Sequence, residues 1–299
     1  MLDLKRLRLL RELHRRGTIT AVAQALSYSP SAVSQQLSKL EKETGVPLLQ
    51  PAGRRVRLTP QAEVLVEHAE RLLAEVERAE TALARSLDDA VGTLRVAAFQ
   101  TAALALVPQT LLRLALQHPA LRLEVTEAEP ETALPGLLSG QFDLVLGEEY
   151  PGRPLLRPRG TERQDLFTDE LRLAVPTSWP EHRLPALAGH PFVLEPVGTT
   201  ANNWATATCL AAGFEPDLRY SSTDLQIHLT LVTHGLAAAL VPDLSGAATH
   251  DGVRLHPLPT RPARAVFAAV RLGAAGHPNV QAFTTALTGV HLALTDQMS

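Results

Sequence analysis

Between residues 90 and 93 the spacing of the apolar residues changes, and that change divides the chain. Upstream, leucines and other apolar residues recur every three or four positions, the period of helices that bury one face. Downstream, short apolar runs alternate with helix-like stretches, as strands and helices do when they build a parallel or mixed α/β sheet. A chain of 299 residues with this division has to fold as a helical head on an α/β body, and it is long enough for two or three cores.

In the head, Leu2, Leu4, Leu7, Leu9, Leu10 and Leu13 define an amphipathic helix that Gly17 can end in a left-handed cap. Thr18 or Thr20 can start a second helix, with Ile19, Val22, Ala23 and Leu26 on one stripe, before Ser27-Tyr28-Ser29 breaks it. Ser29 is placed to cap a third, with Pro30 at its first position, where a missing N–H costs nothing. This helix should run to about Gly45 and bury Val33, Leu37 and Leu40, which turns Ser31, Ser34, Gln35, Ser38, Lys39 and Lys42 outward. Two helices and a short turn, the second helix small-polar and basic outside, have the geometry of a helix-turn-helix entering a major groove. Serine and glutamine exchange hydrogen bonds with base edges, and Lys39 and Lys42 suit phosphates. The following PAGRRVRLTP reads as a β-hairpin wing whose Arg54, Arg55 and Arg57 could reach phosphates or a minor groove. Charge agrees: residues 1 to 60 hold 11 Lys+Arg against 4 Asp+Glu, while the whole chain carries −3, which points to a nucleic-acid-facing head on an acidic body.

From Pro60 to about Leu87 the pattern is one long helix, with Leu65, Val66, Ala69, Leu72, Leu73, Val76 and Leu83 along a seam that Glu80 interrupts. The same helix of a second chain is the simplest cover for such a seam, so a homodimer is expected; the alternative is packing against the chain's own body. Beyond Gly92, strands at 93–99, 121–127 and 142–146 enclose helices at 102–116 and 130–139. A related order returns at 191–195, 201–212, 218–221, 224–233 and 237–241, and a strand at 265–270 with a final helix from about 280 should rejoin the first lobe. Two such lobes imply a hinge and a ligand cleft between them.

Several classes are disfavoured. No stretch approaches 18 uncharged apolar residues and the opening leucines are interrupted by arginines, so a cytoplasmic protein that does not enter a membrane is expected. The single cysteine, Cys209, leaves no intrachain disulfide and no multi-cysteine zinc site. Neither a nucleophile elbow, a phosphate-binding loop nor a paired-histidine spacing occurs, and His228 with His234 or His250 with His256 are six apart, which does not favour one helix face. No catalytic residue, metal or cofactor is therefore expected, although a two-lobed α/β enzyme remains the alternative of a different class.

The stretch TITAVAQALSYSPSAVSQQLSKLEKETGVPLL, with RRVRLT after it, resembles the signature of LysR-type transcriptional regulators, carried by Thr20, Val22, Ala23, Leu26, Ser29, Ala32, Ser34, Leu40, Glu41, Gly45, Leu48, Leu58 and Thr59. HPALRLEVTE, LLSGQFDLVLG and VTHGLAAALVP are similar to segments of the same family's two-lobed domain, so the resemblance spans nearly the whole chain. It implies a winged helix-turn-helix over 1–59, a dimerising linker helix over 60–90, and a regulatory domain over 91–299 that is α/β and like a periplasmic binding protein. Lobe I would hold about 91–165 and 265–299, and lobe II about 166–264. It implies promoter DNA as a partner, contacted by Pro30, Ser31, Ser34, Gln35 and Lys39 and by the wing arginines Arg54, Arg55 and Arg57. It also implies a homodimer or homotetramer, RNA polymerase as a further partner, and a small-molecule effector between the lobes. The loops at that cleft would be Gln100-Thr101, Thr199-Thr200 with Asn202, and Thr223-Asp224; their helix-start N–H groups favour a carboxylate or other anion. The other reading within this class is a DNA-binding dimer whose lobes no longer sense a ligand. Departures from the family's pattern occur at Gln35, commonly arginine, at Leu48-Leu49-Gln50-Pro51, which lacks the usual phenylalanine and arginine, and at Gln61-Ala62.

Overall fold

The structure is a computed structural model that describes residues 1–52, 55–87 and 89–298, with side chains for all of these except 55, 297 and 298. The head consists of α1 (Leu4–Arg16), α2 (Ile19–Ala25), α3 (Pro30–Thr44), and a hairpin of β1 (Leu49–Ala52) and β2 (Arg55–Leu58). Each helix start is fixed by a side chain that satisfies an otherwise orphaned N–H. Asp3 accepts from Lys5 and Arg6, Thr18 from Ala21 and Ser29 from Ala32. Gly17 and Gly45 close α1 and α3 at φ 73° and 71°, a left-handed conformation that glycine adopts without a Cβ clash. Leu7, Leu10, Leu13, Val22, Val33, Leu37 and Leu40 form the head's core. Glu41 accepts from the N–H groups of Leu48 and Leu49 at 2.9 and 3.0 Å, so the end of α3 anchors the hairpin's first strand.

Thr59 caps the long helix α4 (Pro60–Arg85) and also donates to the Pro47 carbonyl at 2.9 Å, tying helix to wing. The expected seam along α4 is divided. Val66 and Ala69 are buried in the head's core, where Leu65 also packs, because α1 lies along this part of α4. Leu73 and Val76 are half-buried facing the body. Val66 and Ala69 are therefore covered within the chain, and Leu65, Leu73 and Val76 partly so, which corrects the expectation of one continuous seam open to a second copy. Leu72 and Leu83 remain 44% and 70% exposed.

The body contains β3 (Gly92–Ala98), α5 (Gln100–Ala105), α6 (Val107–Gln117), β4 (Leu121–Glu127), α7 (Pro130–Ser139), β5 (Leu144–Glu149), β6 (Thr161–Pro176) and β7 (Pro191–Leu194). It continues with α8 (Thr200–Ala211), β8 (Asp217–Ser221), α9 (Leu225–Thr233), β9 (Ala239–Pro242), β10 (Val253–Pro257), β11 (Ala263–Arg271) and α10 (Pro278–Met298). In the first lobe β4, β3 and β5 run parallel and β11 lies antiparallel between β5 and β6. The single helix expected over 102–116 is two helices, because Pro108 lacks the N–H that would continue the ladder through the break at Leu106.

The 16-residue β6 has no counterpart in the sequence reading. Its first part pairs with β11 in the first lobe; from Leu171 onward it pairs with β9 and β10 in the second. One strand thus serves both lobes, and the change from polar TERQD to apolar LRLAV records the change of environment along it. Parallel β7 and β8 complete the second lobe, joined to the rest by a bridge from Phe192 to Ala238.

At the crossing from one lobe to the other lies Arg264, on β11 and only 1% exposed. Its Nε and Nη2 reach Asp169 on β6 at 3.0 and 2.8 Å, Nη1 pairs with Glu148 on β5, and Nη2 reaches the Thr101 hydroxyl on α5 at 2.6 Å. Removing one partner of a buried ion pair leaves uncompensated charge, whose cost is about 3–5 kcal/mol. Arg264→Ala should therefore lower the urea midpoint of the isolated body more than Arg172→Ala, whose ion pair with Asp243 is partly exposed; equal effects would show that Arg264 is not the junction.

Candidate nucleic-acid interface and ligand cleft

The α3 surface left free by the core presents Pro30, Ser31, Gln35 and Lys39 exposed and Ser34 half-buried. Ser31 shares a 3.0 Å hydroxyl contact with the capping Ser29, which leaves its other lone pair and the exposed first turn for a partner. On the wing Arg57 is exposed and has no partner among the described residues. Arg54 lies outside the described residues, as does the side chain of Arg55.

The head's positive charge does not all face outward, as its composition suggests. Four arginines of α1 turn toward the body. Glu12, 1% exposed, sits beneath three of them, with Arg16 Nε at 2.9 Å, Arg11 at 3.3 Å and Arg15 at 3.5 Å. So oriented, Arg11 donates to the Leu138 carbonyl at 2.8 Å, Arg16 to Pro135 at 3.1 Å, Arg8 to Ser139, and Arg15 to Arg159 at 2.7 Å. Leu138 and Ser139 are in the last turn of α7, where carbonyls lack helical partners and the helix dipole is negative, and Pro135 lies one turn before them. Burial lowers Arg11 to about 10, the neighbouring Arg15 adds to this, and Glu12 opposes it.

The opposite end of α7 borders a cavity of about 410 Å³ between the lobes. Pro130, Glu129, Glu131, Glu148 and Tyr150 of the first lobe line it together with Glu195, Val197, Gly198, Thr199, Thr200, Ala201 and Thr223 of the second. Of the seven residues expected at this cleft, only Thr199, Thr200 and Thr223 line it. Thr199 caps α8 by accepting from Asn202, and Thr200 donates across the cleft to Glu131 at 2.8 Å. Gln100 donates to Asp224 and accepts from Leu225 N–H at 3.1 Å, forming a second tie between lobes. Asn202 and Thr101 are buried, the one donating to the Glu195 carbonyl at 2.8 Å and the other holding Arg264.

The expected preference for an anion rested on loop hydroxyls and helix-start N–H groups at this cleft. The Thr199 and Thr200 hydroxyls and the Asn202 and Leu225 N–H groups are engaged in capping and lobe-to-lobe ties, and four glutamates line the cavity. Glu129 is open to the cavity's water, yet surrounding protein is dense enough that burial is the main influence raising it to about 8, helped by Glu148, Glu195 and Glu131. Burial and Glu148 likewise push Glu195 up to about 7 against the lowering effect of the Thr199 hydrogen bond. The sequence did carry a signal for these residues. Glu-Pro follows β4 at 129–130 and β7 at 195–196, and Glu148 is the penultimate residue of β5, so carboxylates gather at the carboxyl ends of parallel strands, where open α/β sheets bind ligands.

Comparisons with known proteins agree with this architecture. The family model described as LysR substrate binding domain matches residues 88–291, and the bacterial regulatory helix-turn-helix protein, lysR family, matches residues 4–63. The "Probable hydrogen peroxide-inducible genes activator" of Mycobacterium avium is 30% identical over 229 residues, covering 75% of this chain and 72% of that protein. The transcriptional dual regulator GltC of Bacillus subtilis is 26% identical and each chain is 83% covered. Among solved structures, a full-length OxyR variant from Pseudomonas aeruginosa superimposes with a TM-score of 0.63 at 19% identity, covering 96% of this chain and 95% of that one. Full-length CbnR complexed with its target DNA gives 0.53 at 24%, covering 97% and 99%. At these identities the structural likeness is one of fold.

The raised carboxyls give a pH dependence of definite sign. Between the ordinary value of 4.5 and about 8 the folded protein holds a proton on Glu129 that the unfolded chain has released. The corresponding stability is fully present below 4.5 and is lost as pH rises through about 8, with Glu195 acting the same way up to about 7. The urea midpoint should therefore fall between pH 5 and pH 8, and Glu129→Gln should flatten that fall. A midpoint that rises over this interval, with the same slope in the variant, would contradict the assignment.

Proposed function

The chain belongs to the LysR family of bacterial transcriptional regulators, and on that premise we propose that it is an effector-gated promoter-binding protein in which α7 carries the ligand's influence to the DNA-binding head. The family is one of regulators, not enzymes, and a helix-turn-helix head with a ligand-binding body is what its two matched models describe. The observation that carries the proposal is that both ends of α7 are committed. Its first turn borders the cavity, and its last carbonyls are held by α1 of the head. A ligand that draws the lobes together moves Glu131, hence α7, hence the arginines seated on it.

On this reading Pro30, Ser31, Ser34, Gln35 and Lys39 approach the major groove, and the wing arginines approach phosphates. A second copy covers the exposed Leu72 and Leu83 of α4, so two heads address half-sites about 34 Å, or a multiple of this, apart. No helix among the described residues is long and apolar enough to cross a membrane, in keeping with a site of action in the cytoplasm. Peroxide sensing, suggested by the name of the Mycobacterium avium relative, lacks support here. The single cysteine, Cys209, is buried on α8 and burial pushes its thiol to about 12, which suppresses the reactive thiolate.

Two measurements test the proposal. Gln35→Ala should cost about 1–3 kcal/mol at the operator and little on unrelated DNA, whereas Arg57→Ala should weaken both alike and reduce the salt slope. Equal losses from Gln35→Ala on both DNAs would remove it from the reading face. For the coupling, Arg11→Met keeps the packing of the stem but loses the bond to Leu138. It should leave operator affinity within about threefold while abolishing the effector's change in the footprint; a preserved change would exclude transmission through this contact.

A further inference from the structure

We propose that the effector of this protein is a cation, an amine or guanidinium of metabolite size, held in the cavity between Glu129 and Glu131 of the first lobe and Glu195 of the second. The inference rests on the reading of this cavity as the effector site. The cavity's volume of about 410 Å³ lies within the ~300–1,000 Å³ range of small-molecule sites, and a matched substrate-binding domain encloses it.

Its charges are one-sided. Glutamates at 129, 131, 148 and 195 line the cavity, and neither lysine, arginine nor histidine is among the described lining residues. The nearest buried cation, Arg264 beneath the floor, has no nitrogen to spare. Nε and Nη2 are bound to Asp169, Nη2 also to Thr101, and Nη1 to Glu148 with the Tyr150 hydroxyl at 3.4 Å. Glu148 and Asp169 already answer that single positive charge. Glu129, Glu131 and Glu195 then face the cavity with no cation among its lining residues, and Arg264 beneath them offsets the charge of Glu129 and Glu195 only in part. Glu131 takes the Thr200 hydroxyl, and no donor among the described residues bonds the Glu129 carboxylate. An anion would find no guanidinium or ammonium in the lining, whereas an ammonium or guanidinium would find carboxylate acceptors on both walls once Glu129 and Glu195 release their protons.

The position of these carboxylates also suits gating. Glu129 is the N-cap residue of α7 and Glu131 lies in its first turn on one lobe, and Glu195 follows β7 on the other. A cation between them is attracted to both lobes at once and so favours their approach. Without it, Glu129 and Glu195 retain protons near neutral pH, and entry of a cation expels them. Binding should therefore strengthen with pH and release protons.

The test uses full-length protein and three probes: 4-guanidinobutylamine, 1,4-diaminobutane and, as the anionic counterpart, succinate. Calorimetry and thermal shift at pH 6 and pH 8 should show one or both cations binding, and more tightly at pH 8 by up to about tenfold per proton released per pH unit. Heats measured in buffers of different ionisation enthalpy report the released proton directly. Glu129→Gln and Glu195→Gln should each weaken that binding by about tenfold or more and reduce the proton release, a readout that a merely structural role would not move. Cation binding unaffected by both variants places the ligand elsewhere and overturns the inference. Binding of succinate alone also overturns it while leaving the cavity as the effector site, and failure of both cations to bind at millimolar concentration overturns it as well. The regulator reading stands or falls separately, on protection of promoter DNA by the protein without any ligand.

Discussion

Arg264 and the two carboxylates it binds set the relation between the lobes. β6 is a continuous strand, so the first and second lobes share backbone, and the shared segment would splay if nothing fixed its middle. The guanidinium does so by bonding Asp169 on β6, Glu148 on β5 and Thr101 at the start of α5. Three elements of the first lobe are thereby pinned at the point where β6 leaves it. Desolvation of these groups is costly in isolation, and burial does raise both Glu148 and Asp169, with Arg264 opposing that rise. The benefit is geometric: a planar fork with fixed donors specifies the direction of each partner, which apolar packing of the same volume would not.

The same residue settles the electrostatics of the cleft above it. By pairing with Glu148 and Asp169, Arg264 leaves none of its donors for a ligand, so the carboxyls of Glu129, Glu131 and Glu195 determine the cavity's sign. α7 ties this sign to the head, because its amino end lies among glutamates and its carboxyl end among arginines. Each placement has its own logic. Arginines complement the free carbonyls of a helix C-terminus, and Glu131 lies in the first turn, where the helix's positive end favours a carboxylate.

Most of the elements were legible from periodicity. β4 and α7 fall on the expected boundaries because Pro119, Pro130 and Gly140 mark their ends, and the head was readable down to its caps because Thr18, Ser29, Gly17 and Gly45 are local signals. What escaped depends on tertiary context. β6 was hidden because TERQD lacks the alternation of a half-buried strand and joins LRLAV only through pairing with β11, β9 and β10. The acidic cleft was hidden because Glu129, Glu148 and Glu195 are far apart in sequence and each reads as an ordinary loop or strand-end carboxylate. The seam on α4 misled for a related reason. Val66 and Ala69 have the spacing of a dimer interface, and nothing local reveals that α1 covers them.

Magnitudes favour α7 as a switch over a rigid strut. Helix-terminal cation contacts are worth about 0.3–1 kcal/mol each, and up to about 2 when partly buried. Arg8, Arg11 and Arg16 on the end of α7 therefore hold the head with a few kcal/mol in all. Moving a two-state equilibrium from 1:99 to 99:1 takes about 5.5 kcal/mol of differential binding. Clamp and required shift are of similar size. A clamp much weaker would leave the head indifferent to the cleft, and one much stronger would hold it whatever occupied the cleft. A 10-residue helix spans about 15 Å, and Pro135 in its interior removes one N–H from the ladder, so a ligand's contact with the first turn reaches the far end through a helix that can bend at that point.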